Sequence, residues 1–227
     1  MNANAPKRTW SEGDGLVSVI IPCYNAAKFI GRTLDSAYSQ RGVSLEVVLV
    51  DDGCTDDSVG VVKRRYPNTA VFRHENGANR GYARSVALAV SKARGEFIAF
   101  LDADDLWLSG EYLLRQVNEL RRRPECVLSL MNGFAIDQDD NILWKWNDES
   151  VYEDFDKRSI LQNCFMLTGA TVVRREALLE AGGVDVALQA IDHDMWIRLS
   201  ELGDFAVIPE PLFGYRQHPR QISHRRQ

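Results

Sequence analysis

Cysteine is scarce. There are four in 227 residues, Cys23, Cys54, Cys126 and Cys164, and none sits in a CxxC pair. That spacing excludes a zinc ribbon or a dithiol motif. It fits a reducing compartment in which some of the thiols are buried as small hydrophobes. Glycine-rich phosphate loops are also missing. No GxGxxG follows the first apolar run, no GxxxxGK[ST] occurs anywhere, and the first turn reads "PCYNAAKF". A dinucleotide cofactor and a P-loop NTPase are therefore excluded as readings. No apolar run reaches the ~18–20 residues of a membrane span. No secretory apolar stretch follows the polar start "MNANAPKRTWSEGDG", so residues 1–15 read as a disordered lead-in and the expected location is cytoplasmic. Positive charge is in deficit, with a net charge of −5, which speaks against nucleic acid as a partner. The exception is the end, "YRQHPRQISHRRQ". It reads either as a solvated tail or as a peripheral contact with phosphates or an anionic membrane surface at its inner face.

What is present is an alternation of two periods. "LVSVII" (16–21) and "LEVVLV" (45–50) are continuous β-branched apolar runs, the pattern of strands buried on both faces. "TAVFRH" (69–74) and "EFIAFL" (96–101) read as two more strands. Between them lie helical stretches: one after Asn25, a plausible N-cap, one over about 56–65, and one from 79 to Gly95. Strand and helix repeating with short links predicts a parallel sheet covered by helices on both sides. Beyond residue 108 the pattern loosens. "EYLLRQVNELRRR" is an amphipathic helix, "CVLSLMNGFAID" and "ILWKW" are two strands around a turn at 138–141, "TGATVVRREALLEAGG" is strand then helix, and "DHDMWIRLSELG" is a helix. Without repeats or linkers, one domain over 16–227 is expected, with a nucleotide-binding half (16–105) and an acceptor-binding half (106–227).

Acids crowd the ends of two strands: Asp51-Asp52 after the second, and Asp102, Asp104 and Asp105 after the fourth. In open α/β sheets, ligands bind beyond the carboxyl ends of the strands, so both clusters fall on one rim. Carboxylates gathered there suit Mg²⁺ or Mn²⁺, which take hard oxygen ligands and often share them with substrate phosphates. The plainer reading makes Asp104 or Asp105 the cap of a helix starting near Leu108.

The motifs "VSVIIPCYN", "VLVDDGCTDDS", "NRGYARSVALAVSKARGEFIAFLDADD", "IDHDMWIRL" and "YRQHP", in that order, resemble the family 2 glycosyltransferases over about residues 16–220. The resemblance implies a GT-A fold, with a Rossmann-like, mostly parallel sheet flanked by helices. It implies an inverting enzyme that moves a sugar from a nucleotide-sugar donor, most commonly a UDP-sugar, to an acceptor hydroxyl, in polysaccharide or glycoconjugate synthesis. Carried over residue by residue, Asp51 or Asp52 would contact the base, beside Pro22, Cys23, Tyr24 and Asn25. Asn79 and Arg84 belong to the same nucleotide pocket. Asp102 and Ala103 would border the ribose, Asp104 would hold Mn²⁺ or Mg²⁺, and His218 is a second candidate ligand for that ion or for the phosphates, with Arg216 and Arg220 as similar cases. Asp192 matches the general base, and Asp194 a second, more structural acid.

Two departures stand out. Ile191 occupies the place of the usual glutamate before the catalytic aspartate. The usual Ala-Arg-Asn of the third helix falls on Ser85-Val86-Ala87, which leaves Arg84 on a different helix face. Both departures keep an alternative alive, a nucleotide-sugar-binding module with little turnover. A nucleotidyltransferase is the other rival and lacks its basic glycine-rich loop. Trp107, Trp144, Trp146 and Tyr152 are each candidates for the core or for stacking on a sugar. Donor sugar, acceptor and oligomeric state are not written in these motifs.

Overall fold

The computed structural model describes residues 13, 15–148, 151, 166–188 and 190–221. Among them, nine strands join in one sheet with the order β3-β2-β1-β4-β8-β6-β9-β5, and β7 pairs with β6. The strands are β1 (Val17–Cys23), β2 (Leu45–Asp51), β3 (Ala70–Arg73), β4 (Phe97–Phe100), β5 (Leu106–Trp107), β6 (Cys126–Ile136), β7 (Ile142–Lys145), β8 (Thr171–Arg174) and β9 (Asp204–Arg216). The helices are α1 (Ile30–Tyr38), α2 (Ser58–Arg65), α3 (Tyr82–Lys92), α4 (Tyr112–Arg122), α5 (Arg175–Glu180) and α6 (Ile191–Leu202).

The apolar runs form the centre, as continuous hydrophobicity requires. Val17, Val19, Ile20 and Ile21 of β1 are fully buried, which stabilises by roughly 1.5–3 kcal/mol per side chain before chain entropy is counted. β1 pairs in parallel with β2 on one side and β4 on the other. The chain thus runs outward through β2 and β3 and then returns to the far side of β1. That reversal opens a crevice beyond the carboxyl ends of β1 and β4, the place where such sheets bind ligands. The second half is mixed: β8 runs antiparallel to β4 and β6, while β6 and β9 are parallel.

Three expectations change. Asn25 does not cap α1. It takes a left-handed φ of 50°, and its Oδ1 accepts the backbone N–H groups of Thr55 and Asp56 at 2.8 and 3.2 Å; α1 begins only at Ile30. Asp104 and Asp105 do not cap a helix near Leu108, because Leu106 and Trp107 form a strand against Phe213 and Gly214 of β9, and α4 starts at Tyr112. Trp144 is half exposed on β7 rather than core. The 138–141 turn does form, closing β6 onto β7. Tyr152, Cys164 and most of the N-terminal lead-in lie outside the described residues, as does the tail after 221.

The long strand β9 has no counterpart among the sequence expectations. Pro209, Pro211 and Gly214 interrupt its pattern, and such residues ordinarily mark the end of a strand. The pairing tolerates them through register shifts around Met131, Asn132 and Gly133, where Pro211 comes opposite Asn132.

Candidate active site

The turn after β4 is held by main-chain contacts from three directions, which leaves its side chains presented on the rim. Asp105 N–H donates to the carbonyl of Asp102 at 3.1 Å. Thr33 of α1 donates its hydroxyl to the Ala103 carbonyl at 3.0 Å. Arg216, fully buried at the end of β9, donates Nε to the Asp104 carbonyl at 2.5 Å and its backbone N–H to Asp105 Oδ1 at 2.8 Å. The same guanidinium reaches the Asp137 carbonyl and Asp140, and it lies 4.9 Å from the Phe29 ring centroid. Asp105 is therefore an internal brace. Burial pushes its carboxyl well above the usual range, with the charges of Asp104 and Asp102 adding to the effect.

Asp102 and Asp104 differ from it. Asp102 accepts the Tyr82 hydroxyl at 2.9 Å. Burial first, then the charges of Asp104 and Asp192, push its pKa up to about 7, although the Tyr82 bond opposes the shift. Asp104 Oδ2 meets His218 Nε2 at 2.8 Å, and the His218 ring packs on Phe29 at a centroid distance of 4.9 Å. Asp192 sits in the first turn of α6, where its Oδ2 accepts the Thr168 hydroxyl at 3.3 Å and its Oδ1 the backbone N–H of His193 at 2.9 Å. Two acids far apart in sequence, 102 and 192, are thus near enough for the charge of Asp192 to bear on Asp102. Asp194 points elsewhere: it pairs with Arg198, which donates in turn to the carbonyls of Ala181 and Gly183 and fastens α6 to that turn.

A divalent cation can be tested against this donor set. Asp104, in the turn after β4, and His218, just beyond β9, offer one hard oxygen and one imidazole nitrogen 2.8 Å apart. Among the described residues no group of three or more His, Cys, Asp or Glu side chains gathers as a closed metal cage. An open pair of this kind fits Mg²⁺ or Mn²⁺, which fill their remaining positions with water and phosphate oxygens.

The other acidic pair is arranged differently. Asp52 uses both carboxylate oxygens on the backbone N–H groups of Arg80 and Gly81, at 2.7 and 3.0 Å. Asp51 accepts Cys54 N–H at 2.8 Å and pairs with Arg73 Nε at 2.7 Å. Both are buried. Asp52 thus holds the chain entering α3 against the tip of β2, while Asp51 ties that tip to Cys54 and to Arg73 of β3. Gly53 is required at that crossing, since a Cβ there would stand 2.7 Å from the Asn79 nitrogen and its φ is +76°. His74 completes the region, 3.5 Å from Asp52 and 2.9 Å from the Ser85 hydroxyl.

Of the remaining rim candidates, Tyr24 exposes about half its surface, Cys23 is buried, Pro22 is partly buried and Asn79 is exposed. At the position of the expected helix arginine stands Val86, packed in the core and 1% exposed. Arg84 instead lines a cavity of about 180 Å³ with His74, Glu75 and Arg80. The guanidinium therefore lies on the Asp52 side of the rim. Tyr82 and Thr168 were not singled out from sequence, and a tyrosine directly after the helix-opening Gly81 was the available signal. Arg216, a candidate phosphate contact beside His218, is instead buried as a brace of the β4 turn.

Solved structures share this architecture. TarS 1–349 of S. aureus in complex with UDP-GlcNAc superposes with a TM-score of 0.74 at 22% identity, over 90% of this chain and 59% of that one. The mannosyltransferase PcManGT from Pyrobaculum calidifontis, in complex with GDP-Man and Mn²⁺, gives a TM-score of 0.67 at 23% identity, over 90% and 57%. The fold is that of the GT-A glycosyltransferases. The model for "Glycosyl transferase family 2" matches residues 18–183, and the chain belongs to that family. Among relatives, the chondroitin synthase of Escherichia coli is 30% identical over 210 residues, 92% of this chain and 30% of the relative. The hyaluronan synthase of Pasteurella multocida is 31% identical over 193 residues, 84% of this chain and 19% of the relative. The chain spans less than a third of the length of these synthases.

Proposed function

We propose that this glycosyltransferase moves a sugar, with inversion, from a nucleotide-sugar to an acceptor hydroxyl, and that UDP-sugars are its donors. The convergence of Asp102, Asp104 with His218, and Asp192 on one rim carries the reading. The nucleotide lies across the ends of β1 and β2. Tyr24 offers its open ring to the base, and Asp51 and Asp52 face the base edge through lone pairs left over from their backbone contacts. Pro22, Cys23 and Asn25 form the floor, with Asn79 and Arg84 on the α3 side. Asp102 and Ala103 border the ribose.

Asp104 and His218 would hold Mn²⁺ or Mg²⁺, which when bound neutralises charge on the nucleoside diphosphate as it leaves. Asp192, accepting from Thr168, takes the proton from the acceptor hydroxyl as that oxygen attacks the anomeric carbon. Attack from the face opposite the diphosphate inverts that carbon. Asp102 keeps its hydrogen bond to Tyr82 and fixes the turn's orientation toward the donor. The acceptor enters over the second half, and the setting is assembly of a polysaccharide or other glycoconjugate. No helix among the described residues is long and apolar enough to cross a membrane. We place the protein in the cytoplasm, with peripheral contact at the inner membrane face through its basic end.

Buried Val86 and Ile191 favour a second reading, a nucleotide-sugar-binding module with weak turnover. Thermal-shift titration with UDP, GDP, CDP and dTDP, each with and without Mn²⁺, tests both readings, because a ligand of the native state raises the melting temperature by mass action. A Mn²⁺-dependent shift with UDP, lost in Asp104→Ala and joined by sugar release from UDP-sugars, is the expected result. A shift without turnover on any donor selects the binding module. No shift with any nucleotide overturns both.

A further inference from the structure

Two thiols meet at the rim although the sequence keeps them thirty residues apart. Cys23 ends β1, and Cys54 follows the tip of β2. Their sulfurs are 3.9 Å apart. Cys23 is fully buried and pinned by its pairing with Asp51, while Cys54 is half-buried and follows Gly53 beyond the end of β2. We propose that Cys23 and Cys54 are a modification site: a hydroperoxide converts them to an intrachain disulfide that loosens the 53–56 loop.

The environment divides the labour between the two sulfurs. The hydrogen bond with Cys23 holds the Cys54 thiol below its ordinary value, helped by the Asn25 N–H at 3.4 Å, while burial opposes the shift. The same sulfur contact, together with burial, pushes the Cys23 thiol well above its ordinary value. Cys54 is thus the sulfur that attacks, since the thiolate is the nucleophile. It takes one peroxide oxygen, the O–O bond breaks and water (or an alcohol) leaves, giving a sulfenic acid. The Cys23 sulfur then attacks Cys54, the S–O bond breaks, and the departing hydroxide leaves as water with the Cys23 proton. Two thiols and one hydroperoxide become one disulfide and two molecules of water, or one of water and one of alcohol.

A disulfide requires the sulfurs to close to about 2 Å, and β1 does not yield, so Cys54 moves. That movement pulls on the contacts that fix the loop: Cys54 N–H to Asp51 Oδ1 at 2.8 Å, Thr55 and Asp56 N–H to Asn25 Oδ1, and Ala27 N–H to Asp56 Oδ2 at 3.0 Å. Under the proposed function, the same loop and Asn25 edge the nucleotide floor, and that consequence rests on that reading.

The test treats the full chain with hydrogen peroxide, maps disulfides by peptide mass, and follows amide hydrogen exchange with and without dithiothreitol. The expected result is a Cys23–Cys54 crosslink, faster exchange at Thr55 and Asp56, and reversal of both by the reductant. Cys54→Ser abolishes both responses, whereas Cys126→Ser leaves them intact. A crosslink through Cys126 or Cys164 instead, oxidation of Cys54 without a crosslink, or unchanged exchange at Thr55 and Asp56 overturns the proposal. UDP affinity is read in parallel. It should fall about fivefold on oxidation, the effect of losing one ordinary hydrogen bond. If the reduced protein binds no nucleotide, the proposed function fails, and the crosslink and exchange data still decide the thiol pair.

Discussion

Two acidic clusters share one rim, and they do different work. At the tip of β2, the carboxylate oxygens of Asp51 and Asp52 are occupied by the Cys54, Arg80 and Gly81 amides and by Arg73. At the tip of β4, the turn is braced through its main chain and through Asp105, while Asp102 and Asp104 contact only the end groups of Tyr82 and His218. The first cluster organises backbone. The second leaves carboxylate oxygens, held close together against their mutual repulsion, that the backbone has not claimed. Crowded aspartates at two strand ends thus differ in how far the backbone has already engaged them.

The sharpest way to break this comparison is Asp192→Asn. Turnover should fall by about 10²–10⁴-fold, the usual contribution of a positioned base, with the UDP-induced thermal shift retained. An equal loss of UDP binding would move Asp192 into the class of organising acids. Next is Arg216→Met, which removes the brace under the β4 turn. Urea unfolding should show a loss of about 3 kcal/mol, since it strands buried partners, and the Mn²⁺-dependent part of the nucleotide shift should vanish with it. Asp52→Asn should cost about 1 kcal/mol of stability, because buried Asp52 gives up one of its two backbone hydrogen bonds. A fully stable variant would show that Asp52 is not an organiser. The smallest effect belongs to Trp144→Ser on the exposed β7 hairpin, where unfolding should stay within about 0.5 kcal/mol of the parent.

The alternating half was legible because its signals were local and agreed with one another. β1, β2, β3 and β4 lie where the continuous apolar runs stood, and the acids after β2 and β4 were placed on one rim by topology alone. α4, β6, β7 and α6 were legible too, from amphipathic or β-branched periodicity. β9 was not, because Pro209, Pro211 and Gly214 break its pattern and its stability comes from pairing with β6, which no local window contains. The Asn25 reading failed for a related reason: its side chain satisfies amides thirty residues away rather than those of the helix it precedes. Within the site, Asp192 and His218 were named through family resemblance, whereas their nearness to Asp102 and Asp104 is a product of the fold. Arg216 was read beside His218 as a candidate phosphate contact, because nothing in "YRQHP" says that its guanidinium ends up buried.

The placement of β9 has a consequence for how the protein comes into being. Arg216 and His218 belong to the last stretch of the described chain, yet they complete a turn at residues 102–105 that the ribosome finishes long before. β9 docks in parallel on β6, pairing residues nearly eighty positions apart such as Cys126 with Asp204, and non-local pairings of this kind close late and slowly. A nascent chain can therefore hold its first four strands while its β4 turn still lacks both brace and imidazole. The β4 turn thus gains its brace only after β9 has been made, 111 residues beyond Asp105.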